Sequence, residues 1–372
     1  MDPKLIAIYF PQFHSIPENN IWWGKDFTDW NLVKNAKPLF QSHQQPKIPF
    51  NNNYYNPCKP DVLQRQVEMA KDYGIYGFMF YHYWFDGKLI LEKPIETFLQ
   101  HKEMDLHFSL SWANASWTRQ WLGNNEILLE QKHLPEKKLW KMHFDYLLPF
   151  FKDKRYIYID GKPIFSIFCP DIIKHDNEMF NYWNELAITA GLIGIYYIAM
   201  KSFNFPKPQF LQNYDAVLKF QPRETNNLIK KGKVFDKKMF RLLPERIQLY
   251  LGSLKRKFSS YTYILSTEMW ESILKNAYIN DYKKYKLEVF ESAYFSWDNT
   301  ARYGKRAIIY SELTAKQKKE YLTFLYEKAK SKNSSYIFFN AWNEWSESAY
   351  LEPDEKSGFE NLEIVKSIFG KI

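Results

Sequence analysis

A chain of 372 residues can bury a core large enough for one big domain, and its two cysteines, Cys58 and Cys169, are too few for a disulfide framework. Aromatic residues form 19% of the chain, a high share that suits sugar-binding surfaces and thick cores alike, so composition alone does not decide the function. The net charge is +9, but residues 223–257 carry eleven Lys or Arg against three acidic residues and supply nearly all of it. The positive charge is therefore local, which excludes a general polyanion-binding face.

The N-terminal segment MDPKLIAIYFPQF predicts a first β-strand. It has one Lys before a short apolar run and lacks the small-residue cleavage site of a signal peptide. No apolar stretch approaches the roughly 20 residues that span a bilayer. These features predict a cytoplasmic protein, with peripheral contact at the inner membrane as a further expectation for the basic segment discussed below.

Eight short apolar runs predict the strands of a parallel sheet, because most of them are continuously apolar and therefore buried on both faces. They are Leu5–Tyr9, Gly77–Tyr81, His107–Ser111, Ile164–Phe168, Tyr196–Met200, Ala216–Phe220, Ala293–Phe295 and Tyr336–Phe339. Helical patterns lie between them, among them Pro60–Tyr73, Met179–Ala190 and Thr314–Ser331. This alternation predicts an α/β fold, a (β/α)8 TIM barrel with long βα loops that forms a single domain over residues 1–372. A doubly wound open sheet is the alternative, although no Gly-rich phosphate loop follows any strand.

Polar and aromatic residues cluster directly after the predicted strands, where the active face of a barrel lies. The candidate substrate-binding residues are His14, Trp23, Tyr81, His82, Trp84, Trp112, Asn114, Trp117, Arg119, Trp297, Asp298, Asn343 and Trp345. Lone histidines such as His14 and His82 are equally compatible with a structural role, and Asp298 with the start of a turn. The sequence predicts neither a metal site nor a cofactor, because no third ligand follows the histidines at a suitable spacing.

Glu344 and Glu347 form the candidate catalytic pair. Glycosidic chemistry needs one group that protonates the leaving oxygen and another that stabilises or generates the anomeric electrophile. Two carboxylates do this when burial raises the pKa of one and polar neighbours keep the other ionised. Residues three apart on a strand point to opposite faces, so the chain must turn between the two glutamates. An isolated E-x-x-E is more often a surface pair, but its place among Trp and Asn after an apolar strand favours catalysis.

Six stretches in this order resemble the WbsX-type family of polysaccharide-biosynthesis proteins, which is also called glycoside hydrolase family 99-like. They are YFPQFHSIPENNIWWGKDFTDWNLVKNAKPLF, YGIYGFMFYHYWFDGKLILEKP, SWANASWTRQW, YIDGKPIF, WDNTAR and WNEWSESAYLEPD, and only the region around 205–290 diverges. The resemblance implies a (β/α)8 barrel related to the endo-α-mannosidases. It also implies that Glu344 acts as a base on the sugar 2-hydroxyl and Glu347 as the acid/base at the glycosidic oxygen, with retention through a 1,2-anhydro sugar.

Three functions follow from the resemblance and the residues together. The first is a retaining enzyme that acts on glycosidic bonds of a bacterial surface polysaccharide, an O-antigen or a capsule. The second is a glycosyltransferase in the biosynthesis of such a polymer, although no separate nucleotide-binding domain is evident. The third is a catalytically silent glycan-binding protein, because Ala115 stands where the family motif W-A-N-E has a carboxylate.

Residues 223–260 predict a basic, helical insertion after the sixth strand. Apolar and basic positions alternate there in a pattern of amphipathic helices interrupted at Pro244. One interpretation is a peripheral contact with an anionic membrane that carries a lipid-linked oligosaccharide substrate. The other is a helical excursion packed on the barrel with a solvated basic face. Nucleic-acid binding is not predicted, because no recognisable module is present.

Overall fold

The computed structural model describes residues 2–119, 126–200, 211–224, 262–264 and 287–370. The predicted basic insertion, residues 223–260, lies outside the described residues from position 225 onward. Among the described residues, no helix combines the length and the apolar character needed to cross a membrane.

Eight parallel strands form a closed barrel, which confirms the predicted fold. They are Lys4–Tyr9, Ile75–Phe85, His107–Trp112, Lys162–Ile167, Tyr196–Met200, Ala216–Leu218, Glu288–Ala293 and Tyr336–Phe339. Each strand pairs in parallel with the strands before and after it in the chain. The first strand pairs with both the second and the eighth, and this closes the sheet. Eight parallel strands with helices in the connections define a (β/α)8 barrel.

Helices and short strands fill the connections between the barrel strands. The described α-helices are Pro17–Trp23, Asp29–Asn35, Pro60–Asp72, Lys93–Gln100, Lys137–Phe151, Asp176–Thr189, Thr300–Tyr303, Ala315–Ser331 and Glu360–Phe369. Short 3-10 turns are Phe50–Asn52, Pro170–Ile172, Gly304–Arg306 and Trp345–Glu347. Short strands outside the barrel are Lys88–Ile90, Trp117–Thr118, Ile127–Leu129, Tyr158–Ile159, Thr262–Ile264, Ile308–Tyr310, Asn343–Glu344 and Ala349–Tyr350.

The three predicted helices are present within a few residues of their expected bounds, and their ends have local causes. A proline in the first turn starts the helix Pro60–Asp72, where the missing N–H costs no hydrogen bond. Thr314 caps the helix Ala315–Ser331, because its hydroxyl accepts a hydrogen bond from the backbone N–H of Gln317 at 3.3 Å.

Two apolar cores explain why the strands are apolar on both faces. Along the first strand, Leu5 and Ala7 pack outward into a layer that includes helical residues, whereas Ile6 and Ile8 pack into the barrel interior. Successive strand residues point to opposite faces, so a strand between two cores has no polar face.

The seventh strand begins earlier than predicted. The apolar pattern indicated Ala293–Phe295, but the strand is Glu288–Ala293. Glu291 is buried, with Lys328 at 2.6 Å and Lys219 at 3.5 Å from its carboxylate. An ion cluster on the outer face of the barrel therefore replaces an apolar contact there and hides the strand from a hydrophobicity pattern.

Candidate active site

A cavity of about 240 Å³ opens at the carboxyl ends of the barrel strands. Six of the eight strands contribute to its wall at or just after their ends, through Phe10, Tyr81, Tyr83, Ala113, Ala115, Phe168, Phe220 and Asn340. Loops at this face carry the active sites of (β/α)8 barrels, because changes there leave the strands intact. The cavity is therefore the candidate active site.

The cavity combines aromatic walls with a charged floor. Its remaining aromatic lining residues are Trp23, Trp117 and Tyr303, and its charged residues are Arg223, Arg302, Glu344 and Glu347. Flat rings offer apolar faces beside polar edges. A site of this kind suits a ligand that has both C–H faces and hydroxyl groups, as a sugar does.

A tight hairpin brings Glu344 and Glu347 to the same cavity. Asn343–Glu344 pairs with the strand Ala349–Tyr350, and the 3-10 turn Trp345–Glu347 joins the two. Ser348 completes the reversal in the left-handed region, with φ of 51°. The chain thus turns between the two glutamates, as their spacing requires.

Arg302 joins the two glutamates at the cavity floor. Its Nη2 lies 2.5 Å from Oε1 of Glu344 and its Nη1 lies 2.7 Å from Oε1 of Glu347. The guanidinium also lies 3.7 Å from a carboxylate oxygen of Asp29 and packs over the Phe10 ring. All of these charged groups are at least nine-tenths buried as side chains, so the ion contacts are shielded from water.

Burial sets the protonation of this cluster. Burial raises the pKa of Glu344 to about 8, with Glu347 and Asp29 adding to the rise and Arg302 opposing it. Burial also raises the pKa of Asp29 against the influence of Arg302. Burial disfavours the charged form of Arg302, but the adjacent carboxylates hold its pKa well above the usual range. The cluster therefore keeps its cation, and Glu344 and Asp29 bind protons more tightly than exposed carboxylates do.

The structure places three of the predicted substrate-binding residues in the cavity wall: Trp23, Tyr81 and Trp117. Arg119 is a neighbour of this group, because its guanidinium lies 5.5 Å from the centre of the Trp23 ring and pairs with Glu126.

Two predicted residues of the second strand point away from the cavity. His82 Nε2 lies 2.8 Å from Nε2 of His143 on the helix Lys137–Phe151, and the Trp84 ring stacks on His143 at 4.6 Å. Trp112 joins them, since its indole donates to the Trp84 carbonyl. Tyr81 and Tyr83 alternate with this pair and face the cavity, as strand periodicity requires.

Asp298 and Trp297 line a different cavity, together with His43. The backbone N–H of Leu39 donates to Nδ1 of His43, so Nε2 carries the proton and donates to Asp298 at 2.7 Å. The backbone N–H of Asp298 donates to the Glu347 carbonyl oxygen at 2.9 Å. This contact supports the turn that carries Glu347.

The remaining predicted residues hold loops in place around the cavity. The Asn343 amide bridges the backbone N–H and carbonyl of Phe10, and the Asn114 amide does the same for Cys169. The Trp345 indole donates to Glu352 at 2.7 Å. His14 is buried, with Nδ1 donating to the Pro11 carbonyl, and burial lowers its pKa to about 4.

Arg302, Asp29, Tyr83 and Arg223 are cavity or cluster residues that the sequence analysis did not single out. Arg302 lies in the stretch WDNTAR and Asp29 in the stretch that ends at Phe40, so both fall inside the stretches that carry the resemblance. Their position within those stretches is the feature of the sequence that could have identified them as site residues. Among the described residues, no group of three His, Cys, Asp or Glu side chains is arranged to hold a metal ion.

Comparison with known proteins identifies the family. A model of the family described as Glycosyltransferase WbsX matches residues 5–365, and the chain belongs to this family. It is 28% identical to the Uncharacterized protein WxcX from two strains of Xanthomonas campestris pv. campestris. The alignment extends over 366 residues, which are 97% of this chain. The chain spans about half of those relatives, 49% of their length.

Solved structures share the fold. A glycoside hydrolase-like protein superposes on this chain with a TM-score of 0.55 at 14% sequence identity. The superposition covers 99% of this chain and 94% of the other protein's chain. The GH99 endo-alpha-mannosidase from Bacteroides thetaiotaomicron superposes with a TM-score of 0.56 at 11% identity, covering 100% and 98%. At such low identity these likenesses establish the barrel alone.

Proposed function

We propose that this WbsX-family chain is an enzyme that cleaves or transfers a glycosidic bond of a bacterial surface polysaccharide, with Glu344 and Glu347 as its catalytic pair. The observation that carries the proposal is the convergence of both carboxylates on one guanidinium at the floor of an aromatic-walled cavity. Each glutamate contacts Arg302 through Oε1 and lines the cavity in which a substrate would bind.

The two glutamates have unequal roles in the proposed reaction. Glu344 removes the proton of the sugar 2-hydroxyl, and Glu347 protonates the departing glycosidic oxygen. The 2-oxygen then closes on the anomeric carbon, and a second inversion by water or by a sugar hydroxyl gives net retention. The aromatic rings of Trp23, Tyr81 and Trp117 would lie against the sugar faces in this mechanism.

The pKa of Glu344 gives the proposal a pH signature. A base must be ionised, and burial raises the pKa of Glu344 to about 8. Because kcat/KM reports the ionisation of the free enzyme, we expect kcat/KM to rise with pH and to reach half of its plateau near pH 8.

Two variants with a matched control test the catalytic pair. Defined O-antigen and capsule oligosaccharides would be incubated with the wild type, Glu344→Gln, Glu347→Gln and the surface control Glu320→Gln, and products followed by mass spectrometry. We expect both site variants to lose activity by roughly 10²–10⁴-fold, the usual contribution of general acid–base catalysis, and the control to keep it. Turnover that survives in both site variants would refute the pair.

The acceptor distinguishes hydrolysis from transfer. The family description favours transfer as the second candidate function. Incorporation of ¹⁸O from labelled water into the new reducing end indicates a hydrolase, whereas an extended oligosaccharide indicates a transferase. Glycan binding without turnover by the wild type would indicate the silent alternative, and Ala115 in the cavity wall is the residue that favours it.

A lipid-linked oligosaccharide substrate and a membrane contact through residues 223–257 remain parts of the proposal. Eleven basic residues in that segment would attract an anionic surface. Co-sedimentation with phosphatidylglycerol vesicles but not with phosphatidylcholine vesicles is the expected result. Equal absence from both pellets would refute the contact.

A further inference from the structure

Arg302 contacts both proposed catalytic carboxylates. Its two terminal nitrogens bind Glu344 at 2.5 Å and Glu347 at 2.7 Å. The two distances differ by only 0.2 Å, so the guanidinium attracts a negative charge on either glutamate about equally. One planar guanidinium group therefore binds two carboxylates.

Asp29 is a third carboxylate next to the guanidinium of Arg302. It is fully buried, and Arg302 at 3.7 Å is its ion-pair partner among the described residues. Asp29 is held in place because it begins the helix Asp29–Asn35 and its backbone N–H donates to the Gln12 carbonyl. A fixed carboxylate on this side attracts the guanidinium whether or not the glutamates are ionised.

We propose that Arg302 is the shared counter-ion of the reaction and that Asp29 is the positioning residue that holds it between the two glutamates. The inference rests on the proposed function, because it assigns these residues roles in that chemistry. Arginine suits such a role, since its guanidinium stays protonated throughout and offers several donors in a rigid fork.

The proton and charge balance of the first step shows what a shared counter-ion achieves. The O–H bond of the 2-hydroxyl breaks and its proton goes to Glu344, which becomes neutral. The bond from the anomeric carbon to the leaving oxygen breaks as the bond to the 2-oxygen forms. The leaving oxygen takes the proton of Glu347, which becomes an anion. The pair carries one negative charge before and after, and Arg302 contacts both places where that charge resides.

The second step reverses both transfers. Glu347 takes a proton from the attacking water or sugar hydroxyl, whose oxygen bonds to the anomeric carbon. The bond to the 2-oxygen breaks, and Glu344 returns its proton to that oxygen. A cation that bound only one glutamate would stabilise one half of this cycle and oppose the other. A cation bound to both stays in contact with the negative charge in both halves of the cycle.

The other titratable groups near the pair are Tyr81, Tyr83, Tyr303 and Arg223. Burial raises the pKa of each of the three tyrosines, so they stay neutral in the working pH range. Arg223 is a cation in the cavity wall. The test below substitutes only Asp29 or Arg302 and keeps these four residues. A change in the titration of Glu344 is therefore caused by the substituted residue.

An NMR titration of the full-length chain labelled with [δ-¹³C]glutamate tests the counter-ion without any substrate. The Glu344 resonance is assigned as the one that Glu344→Gln removes. We expect Arg302→Met to move its midpoint to higher pH, because a cation is lost. We expect Asp29→Asn to move it to lower pH, because a neighbouring anion is lost. The control Arg155→Lys, which changes a buried arginine elsewhere, should leave the midpoint unchanged. An unmoved midpoint in folded Arg302→Met or Asp29→Asn would overturn the proposal.

A conservative variant covers the case in which Arg302→Met does not fold. Arg302→Lys keeps the charge but presents a single nitrogen, so it cannot contact both glutamates in the same way. With a substrate found by the turnover tests above, we expect Arg302→Lys to lower kcat at least tenfold with a smaller change in KM. We also expect it to shift the pH profile of kcat/KM. An unchanged profile would leave Arg302 a structural residue and would overturn the proposal.

The two arms separate failure of this inference from failure of the proposed function. Turnover that needs both glutamates but is indifferent to Asp29 and Arg302 refutes the inference alone. The expected NMR shifts in a protein that turns over none of the tested glycans refute the proposed function, and with it the assigned role of Arg302 in catalysis.

Discussion

Two buried arginines, Arg155 and Arg302, lie at opposite ends of the barrel and have different surroundings. Arg155 is near the start of the third strand, where its carbonyl accepts a hydrogen bond from Phe108. It contacts a single carboxylate, Asp153, through two hydrogen bonds of 3.0 Å. Its other donors bind the backbone carbonyls of Phe98, Leu99, His101 and Met104. Arg302 instead contacts three carboxylates at the cavity.

The difference lies in how the charge of each arginine is balanced. At Arg155 one carboxylate, Asp153, pairs with two cations, Arg155 and Lys102, and neutral carbonyls satisfy the remaining donors of the arginine. Although burial opposes it, hydrogen bonds from Arg155 and Lys102 hold the pKa of Asp153 well below its usual range. At Arg302 three acids share one cation, and burial raises the pKa of Glu344 to about 8, with the other two acids adding to the rise and Arg302 opposing it. A carboxylate that is matched by cations stays ionised and stabilises the fold, whereas an excess of acids over cations favours protonation, which is a feature typical of functional sites.

Arg155→Met should have the largest effect on stability. It removes the buried partner of Asp153 and leaves only the largely exposed Lys102 beside that carboxylate, so we expect the free energy of unfolding to fall by about 3–5 kcal/mol, the usual cost of breaking a buried pair. Urea denaturation followed by circular dichroism measures this change. Activity per folded molecule should stay at the wild-type level, and a lower value would contradict the separation of the two clusters.

The pH dependence of stability should have opposite signs at the two clusters. The pKa of Glu344 is raised in the folded state, so its contribution is fully present below the unfolded value of about 4.5 and is lost as pH rises toward about 8. The pKa of Asp153 is depressed, so its contribution is present above the unfolded value near 3.8 and is lost in acid. Unfolding free energies of the wild type should therefore include a fall between pH 5 and 8 that Glu344→Gln removes, on the order of a few kcal/mol. An identical slope in both proteins would show that Glu344 titrates normally.

Glu352→Gln tests whether the turn Trp345–Glu347 depends on the contacts of Glu352. The Glu352 carboxylate accepts hydrogen bonds from the Trp345 indole, the Tyr55 hydroxyl and the Gln66 amide at 2.6–2.7 Å. An amide brings two donors to this acceptor position, so we expect a loss of about 1–3 kcal/mol in unfolding free energy. Thermal unfolding at several pH values provides the measurement. An unchanged melting temperature would show that Trp345 does not depend on this contact.

Arg65→Met should have the smallest effect and gives the baseline for an exposed arginine. Arg65 pairs with Asp61 one helical turn away at 2.9 Å, and both side chains are more than half exposed. Exposed pairs at this spacing contribute about 0.3–0.5 kcal/mol, so the variant should unfold almost as the wild type does. A loss above about 1 kcal/mol in the same urea assay would mean that burial is not what distinguishes Arg155.

The Glu344–Glu347 pair shows how far local sequence determined the candidate site. Apolar runs located the eight strands, because a strand covered on both faces has to be apolar throughout. The three-residue spacing required a turn, and the hairpin that ends at Ser348 provides it. The seventh strand was placed too late because the buried Glu291 interrupts its apolar run.

Only the tertiary structure decided which side chains reach the cavity. Tyr81 and Tyr83 line it, whereas His82 and Trp84 face the helix behind. Strand residues alternate between two faces, but both faces are apolar here, so the sequence does not reveal which set points inward. The contacts of Arg302 could not be predicted from the sequence either, because its partners are far apart along the chain. Asp29 follows the first strand, Arg302 the seventh and the glutamates the eighth, and closure of the barrel brings them together.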